Sequence, residues 1–346
     1  MPTKHFSEFS ESFKILNRSI GPGNPVYIIA EAGVAHFGDI SLARDLVDLA
    51  VNGGADAFKI QIFDVERLIS AHESSWRERL RHRNLSFDEV CELKSRCDDA
   101  GIAFIATAHD ESRIPWLKSL DVPAIKIGSG ERNNPIFLRD LAKLDLPIIL
   151  STGMYSKSDV EEALQTLSAV AAKEVALLHC ITSYPAPDSD INLSAMDNLK
   201  NMFSGPVGYS DHTTDNLAVL AAVARGAVII EKHITIRRDV PNAHDWKVSA
   251  GPEEFLKLVQ EVRRLESFVG HGRIEAAPSE ASAISWATKS VVVNRSLPAG
   301  HRLEFSDLDA KRPGTGTAAN MLENFVGRIL RHAVDTDTQI SLEDLE

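Results

Sequence analysis

The chain has 346 residues and a mass of 37.9 kDa, well beyond the ~150 residues of a typical domain, so one large domain with a smaller companion is expected. Hydrophobic residues at 44% and charged residues at 25% fit an ordinary globular chain and exclude collagen-like, coiled-coil and disordered classes. With 37 basic and 49 acidic residues the net charge is −12 at pH 7, which argues against a nucleic acid or an anionic membrane surface as partner. Any anionic ligand must then be held by a local cluster of cations.

Three cysteines, Cys91, Cys97 and Cys180, form no legible disulfide framework, so a reducing, cytoplasmic setting is expected. The stretch Met1 to Asn24 is polar and mixed in charge, and no apolar run nears the ~20 residues of a spanning helix. Neither a secretory signal nor a membrane anchor is expected.

From Val26 to about Val269, short apolar runs alternate with amphipathic segments, as in βα units feeding a parallel sheet. Eight strands are predicted: Val26–Ala32, Ala57–Ile62, Ile102–Thr107, Ala124–Ile127, Pro147–Leu150, Val175–Cys180, Val207–Tyr209 and Val228–His233. Helical spacing follows each, as in Leu42, Leu46, Leu49 and Ala50. Eight such units over a span close to ~250 residues predict an α/β fold, a (β/α)8 TIM barrel, over residues 1–271.

Barrel chemistry sits on the loops that follow strand C-termini. Polar residues collect there: Glu31, then Lys59 and Gln61, Thr107 and His109, Lys126 with Ser129 and Glu131, and Ser151 with Thr152. His179 with Thr182 and Tyr184, Ser210 with His212, and Glu231 with His233 complete the ring. Lys59 and Gln61 are two apart in a strand, as are Glu231 and His233, so both members of each pair face the barrel interior. Buried charge without a partner is costly, and this concentration marks a functional mouth.

The barrel pattern ends near Gly270, and residues 272–287, with Ala276-Ala277-Pro278 among them, read as a linker. A second module spans 288–346: a strand at Ser290–Val293, a turn at Leu297-Pro298-Ala299-Gly300, a rigid loop at Lys311-Arg312-Pro313-Gly314-Thr315-Gly316 and a short helix at Met321–Val326. Roughly sixty residues make a marginal core, so docking against another surface is expected.

Lys59 and Lys126, with the hydroxyls of Ser129, Ser151 and Ser210, suit a doubly anionic ligand carrying phosphate and carboxylate. The alternative is structural, each lysine pairing with a barrel carboxylate such as Glu31 or Glu231. His212 and His233 end neighbouring strands and suit a shared divalent metal; the alternative is a hydrogen-bonded histidine pair. No cysteine spacing supports a structural zinc. Gly33–Gly38 and Gly128–Glu131 are glycine-bearing loops that match no nucleotide-binding fingerprint. His36, His72, His82, His271 and His301 read as surface residues, and Cys180 as a core filler.

At these positions the chain resembles the sialic acid (N-acetylneuraminate) synthase family, which includes the legionaminic and pseudaminic acid synthases. The matching segments are Ile28-Ile29-Ala30-Glu31-Ala32-Gly33, Gly54–Gln61, Ile125-Lys126-Ile127-Gly128-Ser129-Gly130-Glu131, Ile149–Met154, Leu178-His179-Cys180, Tyr184-Pro185-Ala186-Pro187, Gly208–Thr213, Ile230-Glu231-Lys232-His233 and Lys311-Arg312-Pro313-Gly314. They run in order over almost the whole chain. The terminal module resembles the antifreeze-like (SAF, β-clip-type) domain that closes these enzymes.

The resemblance implies condensation of phosphoenolpyruvate with an open-chain N-acetylated amino-hexose to a nine-carbon 2-keto acid and phosphate. N-acetylmannosamine is the implied acceptor, with a 2,4-diacetamido-trideoxyhexose as alternative. It further implies that Lys59, Lys126, Ser129, Ser151 and Ser210 grip phosphoenolpyruvate, that His212 and His233 bind Mn²⁺ or Mg²⁺, and that Glu31 handles protons. Gln61, Glu131, Tyr184, Glu231 and Asp245 would contact or orient the sugar. Arg312 matches the arginine that one subunit delivers to its partner's site, which implies a domain-swapped homodimer.

Four departures stand out. Ala35-His36-Phe37-Gly38 replaces the family's Asn-His-Asn-Gly, removing two amides from the mouth. Phe63–Leu85 is short and charged, without a recognisable sugar-contacting asparagine. Thr107-Ala108-His109-Asp110 stands where relatives often have Thr-Pro-Phe, and the loop Pro241-Asn242-Ala243-His244-Asp245 is one residue longer than in some relatives. Two other functions are compatible with the residues: a Schiff-base aldolase using Lys59 or Lys126, and a non-catalytic sugar-binding homologue.

Overall fold

The computed structural model describes residues 5–239 and 245–346. The chain divides into two compact units, Met1–Gly270 and His271–Glu346.

The first unit opens with a small antiparallel hairpin, β1 (Phe13–Ile15) and β2 (Arg18–Ile20). Eight parallel strands follow and close into a barrel: β3 (Tyr27–Gly33), β4 (Ala57–Ile62), β5 (Ala103–Ala108), β6 (Ile125–Ile127), β7 (Ile148–Ser151), β8 (Val175–Cys180), β9 (Val207–Asp211) and β10 (Ile229–His233), with β10 pairing back onto β3. The helices are α1 (Ile40–Asn52), the short α2 (Val65–Leu68) and α3 (Ser74–Arg81), α4 (Phe87–Ala100), α5 (Ile114–Ser119), α6 (Pro135–Ala142), α7 (Lys157–Ala169), α8 (Ala195–Met202), α9 (Leu217–Ala224) and α10 (Pro252–Val269). The predicted TIM barrel is therefore present, each strand within a residue or two of its expected bounds.

Local chemistry places the boundaries. Ser86 and Glu89 form a capping box that starts α4, and Gly101 ends it in the left-handed conformation at φ 74°. Ser156 and Asp159 form the same device at α7.

Period-two alternation separates two apolar layers. Outward residues such as Ile28, Phe58, Phe104, Leu150 and Leu177 pack against the helices, whereas inward Tyr27, Ile29, Ala57, Ile105, Ile149, Leu178 and Ile229 fill the barrel's interior. Phe13, Ile15 and Ile20 of the hairpin join the inner cluster. Each fully buried large aliphatic side chain stabilises by about 1.5–3 kcal/mol, so the N-terminal part of the barrel is a packed apolar core. The inward positions beyond it along the strands are polar, and these form the site.

In the second unit, β11 (Ser290–Val293) pairs antiparallel with β12 (Leu308–Lys311) over a core that includes Val291, Leu303, Phe325, Leu330 and Ile340. Two expectations change. The stretch 272–287, read as a linker, contains helix α11 (Ala281–Ala287), and Met321–Val326, read as a short helix, lies within a 3-10 segment, Ala319–Phe325.

Candidate active site

The inward parity that fills the core with Ile29, Ala57 and Ile229 places Glu31, Lys59, Gln61, Glu231 and His233 in the same interior two residues further along. Register aligns them: His233 pairs across to Glu31, and Glu31 to Lys59, over three adjacent strands.

Lys59 Nζ lies 3.1 Å from Glu31 Oε2 and 3.2 Å from Glu231 Oε2. Lys126 Nζ is 3.6 Å from Glu231 Oε1 and donates to Ile127 O at 3.2 Å. Ser210 Oγ donates to Glu231 Oε1, and Gln61 Nε2 donates to Glu31 Oε1, both at 3.0 Å. The four charged residues are nearly excluded from solvent, so the lysine–carboxylate pairing weighed above is real. It does not account for Ser151, whose Oγ is buried without a hydrogen-bond partner.

The four charges are tuned apart. Burial raises the Glu31 carboxyl, with Lys59 opposing and Glu231 reinforcing. Burial acts the same way on Glu231, but Lys126 and Lys59 overcome it and hold Glu231 below the usual carboxylate range. Lys59 stays above its ordinary value because Glu231 and Glu31 outweigh burial, whereas Lys126 is lowered by burial with too little relief from Glu231. Two lysines thus stand among two carboxylates of unequal basicity, and the ammonium groups are the local cations that an anionic ligand needs.

His212 and His233 face each other with ring centroids 5.3 Å apart, and the Tyr184 ring lies against His212 at 4.1 Å. His212 Nδ1 is 2.6 Å from Ile181 O, which fixes the proton there and leaves Nε2 free to act. Cys180 Sγ lies 3.7 Å from the same nitrogen, so this residue, read as filler, also touches the site. Burial lowers His212, but Cys180 and the Ile181 carbonyl outweigh it and raise the pKa. His233 is held far below the usual histidine range by burial, His212 and Lys59, so its imidazole is neutral. Among the described residues no group of three or more His, Cys, Asp or Glu side chains converges on one metal position. Two imidazoles nevertheless fit a divalent cation whose other ligands are substrate oxygens and water.

Ser129 Oγ accepts the Gly153 N–H at 2.9 Å, and a Cβ at Gly153 would sit 2.8 Å from Ser129 Oγ and 2.3 Å from Thr182 Oγ1, so only glycine allows this approach. Glu131, in the same 3-10 turn as Ser129, accepts from Asn134 Nδ2 at 2.8 Å, and burial raises its pKa. Gly33 adopts φ 55°, and the space of its missing Cβ lies 3.3 Å from Glu31 Oε1, 3.4 Å from Gln61 Nε2 and 3.7 Å from Asp245 Oδ2. Asp245 thus stands beside Glu31 and Gln61, while residues 240–244, including His244, lie outside the described residues.

Three expectations are corrected. His179 faces the helix layer, with Nε2 2.7 Å from Ile191 O, because its parity is opposite to that of inward Leu178 and Cys180. His36 is buried rather than exposed: its loop curls so that Nδ1 accepts the Gly38 N–H at 3.0 Å. His301 is half-buried and bonds Asp307 at 2.7 Å. Arg312 belongs to the second unit, where it is exposed and its guanidinium lies 5.8 Å from the Trp286 ring centroid. Sequence reasoning passed over Asp211 and Lys232, a fully buried ion pair on the outer face of β9 and β10.

Comparison with known proteins agrees with this architecture. The NeuB family profile matches residues 46–274 and the SAF domain profile residues 288–346. An uncharacterised protein of Methanocaldococcus jannaschii is 39% identical over 97% of this chain and 99% of its own length. The N,N'-diacetyllegionaminic acid synthase of Campylobacter jejuni is 38% identical over 87% of this chain and 95% of its own. Among solved structures, the N-acetylneuraminic acid (sialic acid) synthetase of Leptospira borgpetersenii, in complex with citrate, superposes with a TM-score of 0.75 at 37% identity, covering 81% of this chain and 97% of that one. The terminal module is therefore a SAF domain, and the chain is an enzyme that belongs to the NeuB family, the synthases of sialic, legionaminic and pseudaminic acids.

Proposed function

We propose that this enzyme condenses phosphoenolpyruvate with an open-chain N-acetylated amino-hexose, N-acetylmannosamine in the first reading, giving a nine-carbon 2-keto acid and phosphate. The observation that carries the proposal is the buried Glu31–Lys59–Glu231–Lys126 network facing a histidine pair.

Lys59 and Lys126 bind the anionic groups of phosphoenolpyruvate as point charges, and the hydroxyls of Ser129, Ser151 and Ser210 supply directional bonds. Glu231 orients both lysines and Ser210 while taking no proton itself. Gln61, Glu131, Tyr184 and Asp245 hold the sugar with its carbonyl carbon toward carbon 3 of the enol. A divalent cation, Mn²⁺ or Mg²⁺, held by His212 and His233 supplies Lewis acidity toward the carbonyl oxygen. Carbon 3 forms the new C–C bond at the expense of the enol double bond, the carbonyl oxygen takes a proton from solvent to become a hydroxyl, and carbon 2 is left as an oxocarbenium. Water adds there and gives one proton to Glu31; the carbon 2 hydroxyl so formed gives its remaining proton to the departing phosphate as the bond from carbon 2 to the bridging oxygen breaks, which leaves the keto group. Burial raises the Glu31 carboxyl, with Lys59 opposing, which makes it a stronger base than an ordinary carboxylate.

Arg312 completes the site from a second copy of the chain, its planar fork bonding sugar oxygens, so the active form is a domain-swapped homodimer. The compartment is cytoplasmic; the three cysteines are free, and among the described residues no helix is long and apolar enough to cross a membrane.

A 2,4-diacetamido-trideoxyhexose is the second acceptor reading, and the Ala35–Gly38 loop favours it. Ala35 and Phe37 offer no side-chain partner to hydroxyls, and the Phe37 ring lies 5.5 Å from the Arg83 guanidinium, an apolar and cationic wall suited to a sugar with fewer hydroxyls. Incubation with phosphoenolpyruvate, Mn²⁺ and each acceptor, with keto acid detected by mass, tests the reading. A nine-carbon acid supports it; a pyruvate adduct on Lys59 or Lys126 trapped by borohydride overturns it in favour of an aldolase.

A further inference from the structure

Glu231 and Ser210 point into the barrel, so Lys232 and Asp211 point out of it, between strand and helix. They stand directly opposite each other in the β9–β10 register. Each immediately precedes one of the two imidazoles that face each other across the site, His233 and His212. Asp211 is 0% and Lys232 2% exposed, and Lys232 Nζ lies 2.5 Å from Asp211 Oδ2.

The ammonium also donates to Thr213 O at 2.7 Å. Thr213 in turn gives its hydroxyl to Asp211 Oδ1 at 2.9 Å and its N–H to the same oxygen at 3.3 Å. Asp211 and Thr213 are thus tied together from both sides of His212, and the knot is anchored on the residue before His233. Removing two charges from water costs several kcal/mol each, and an apolar pair of similar volume often serves stability equally well. What an apolar pair lacks is directionality. The ion pair fixes the end of one strand against the next at the level where the imidazoles must hold a common spacing.

We propose that Asp211 and Lys232 are a positioning pair for His212 and His233, setting the spacing of the two imidazoles and through it the affinity of the site for a divalent cation. This rests on the reading that the two histidines hold that cation. Outer groups that orient metal ligands typically change affinity by about 10–100-fold when removed.

The test uses the full-length protein and Mn²⁺ alone, with binding followed by electron paramagnetic resonance and stability by thermal melting. Asp211→Asn combined with Lys232→Met removes both charges at nearly constant volume, Lys232→Arg keeps the cation, and Leu258→Ala in α10 loosens the core away from the site. The double variant is expected to fold and to bind Mn²⁺ about 10–100-fold more weakly, Lys232→Arg to stay within about threefold of wild type, and Leu258→Ala to lower the melting temperature with Mn²⁺ affinity unchanged. Unchanged affinity in the double variant would overturn the proposal, as would failure of that variant to fold, since the pair would then serve the fold itself. Should wild type bind no Mn²⁺, the metal reading falls separately. The positioning claim is then decided by ¹⁵N imidazole resonances of metal-free protein: shifts confined to His212 and His233 in the double variant support it, and unshifted resonances overturn it.

Discussion

Lys59 Nζ lies 3.1 Å from Glu31 Oε2, on the neighbouring strand and in register with it, both side chains buried inside the barrel. The same ammonium compensates Glu231 at 3.2 Å, so one cation serves two carboxylates. Removing one member of a buried ionic set strands the others, at a cost of about 3–5 kcal/mol. Lys59→Met should destabilise the enzyme by that amount in urea denaturation, and adding Glu31→Gln should recover at least half of it. A loss below about 1 kcal/mol in the single variant would mean that the carboxylates share a proton instead.

Glu31→Gln keeps the shape of the side chain and can keep a bond to Gln61, so its cost should be chemical. We expect kcat to fall about 100-fold or more while the KM for phosphoenolpyruvate changes little. Steady-state kinetics decide it, and a kcat close to wild type would remove Glu31 from proton handling.

Stability should fall on mild acidification, with buried His36 as a contributor. Burial pushes its pKa down to about 4, with Glu89 opposing and Arg83 reinforcing. This lies below the unfolded value of about 6.5, so as pH falls the unfolded chain takes up a proton that the folded chain refuses. The loss is negligible above about pH 6.5, grows at about 1.4 kcal/mol per pH unit below it, and approaches about 3 kcal/mol near pH 4. His36→Asn, which can still accept the Gly38 N–H, should show a shallower decline between pH 6.5 and 4 in denaturant titrations. An unchanged slope would contradict the assignment.

Much of this was legible because strand alternation is a strong constraint. Ile29 predicts the direction of Glu31, and Ala57 that of Lys59 and Gln61, so the interior polar layer follows from parity. The same parity, applied to Leu178 and Cys180, would have turned His179 outward. Other features depend on contacts distant in sequence. The Asp211–Lys232 pair exists only once β9 and β10 settle in register, and the hairpin of Phe13, Ile15 and Ile20 matters only because it joins the inner barrel cluster. His36 reads as a loop residue in sequence, and its burial follows from how that loop curls back on Gly38.

Arg312 follows a strand end of the SAF domain and precedes a cis proline, beside exposed Trp286. Arg312→Ala should raise the acceptor KM or lower kcat without changing the melting temperature. Mixing it with Lys59→Ala should restore part of the activity, since a mixed dimer carries one intact site when the arginine acts in trans. Absence of recovery in confirmed mixed dimers would place Arg312 in its own subunit's chemistry.

The central claim is that a carbon–carbon bond forms while the bond between carbon 2 and the bridging oxygen of phosphoenolpyruvate breaks. It is tested most directly with phosphoenolpyruvate carrying ¹⁸O in that bridge, supplied with Mn²⁺ and, in parallel, N-acetylmannosamine or a 2,4-diacetamido-trideoxyhexose. We predict that phosphate is released with the label retained, in step with a nine-carbon keto acid from one of the two sugars. Unlabelled phosphate, or no release with either sugar, would contradict the account.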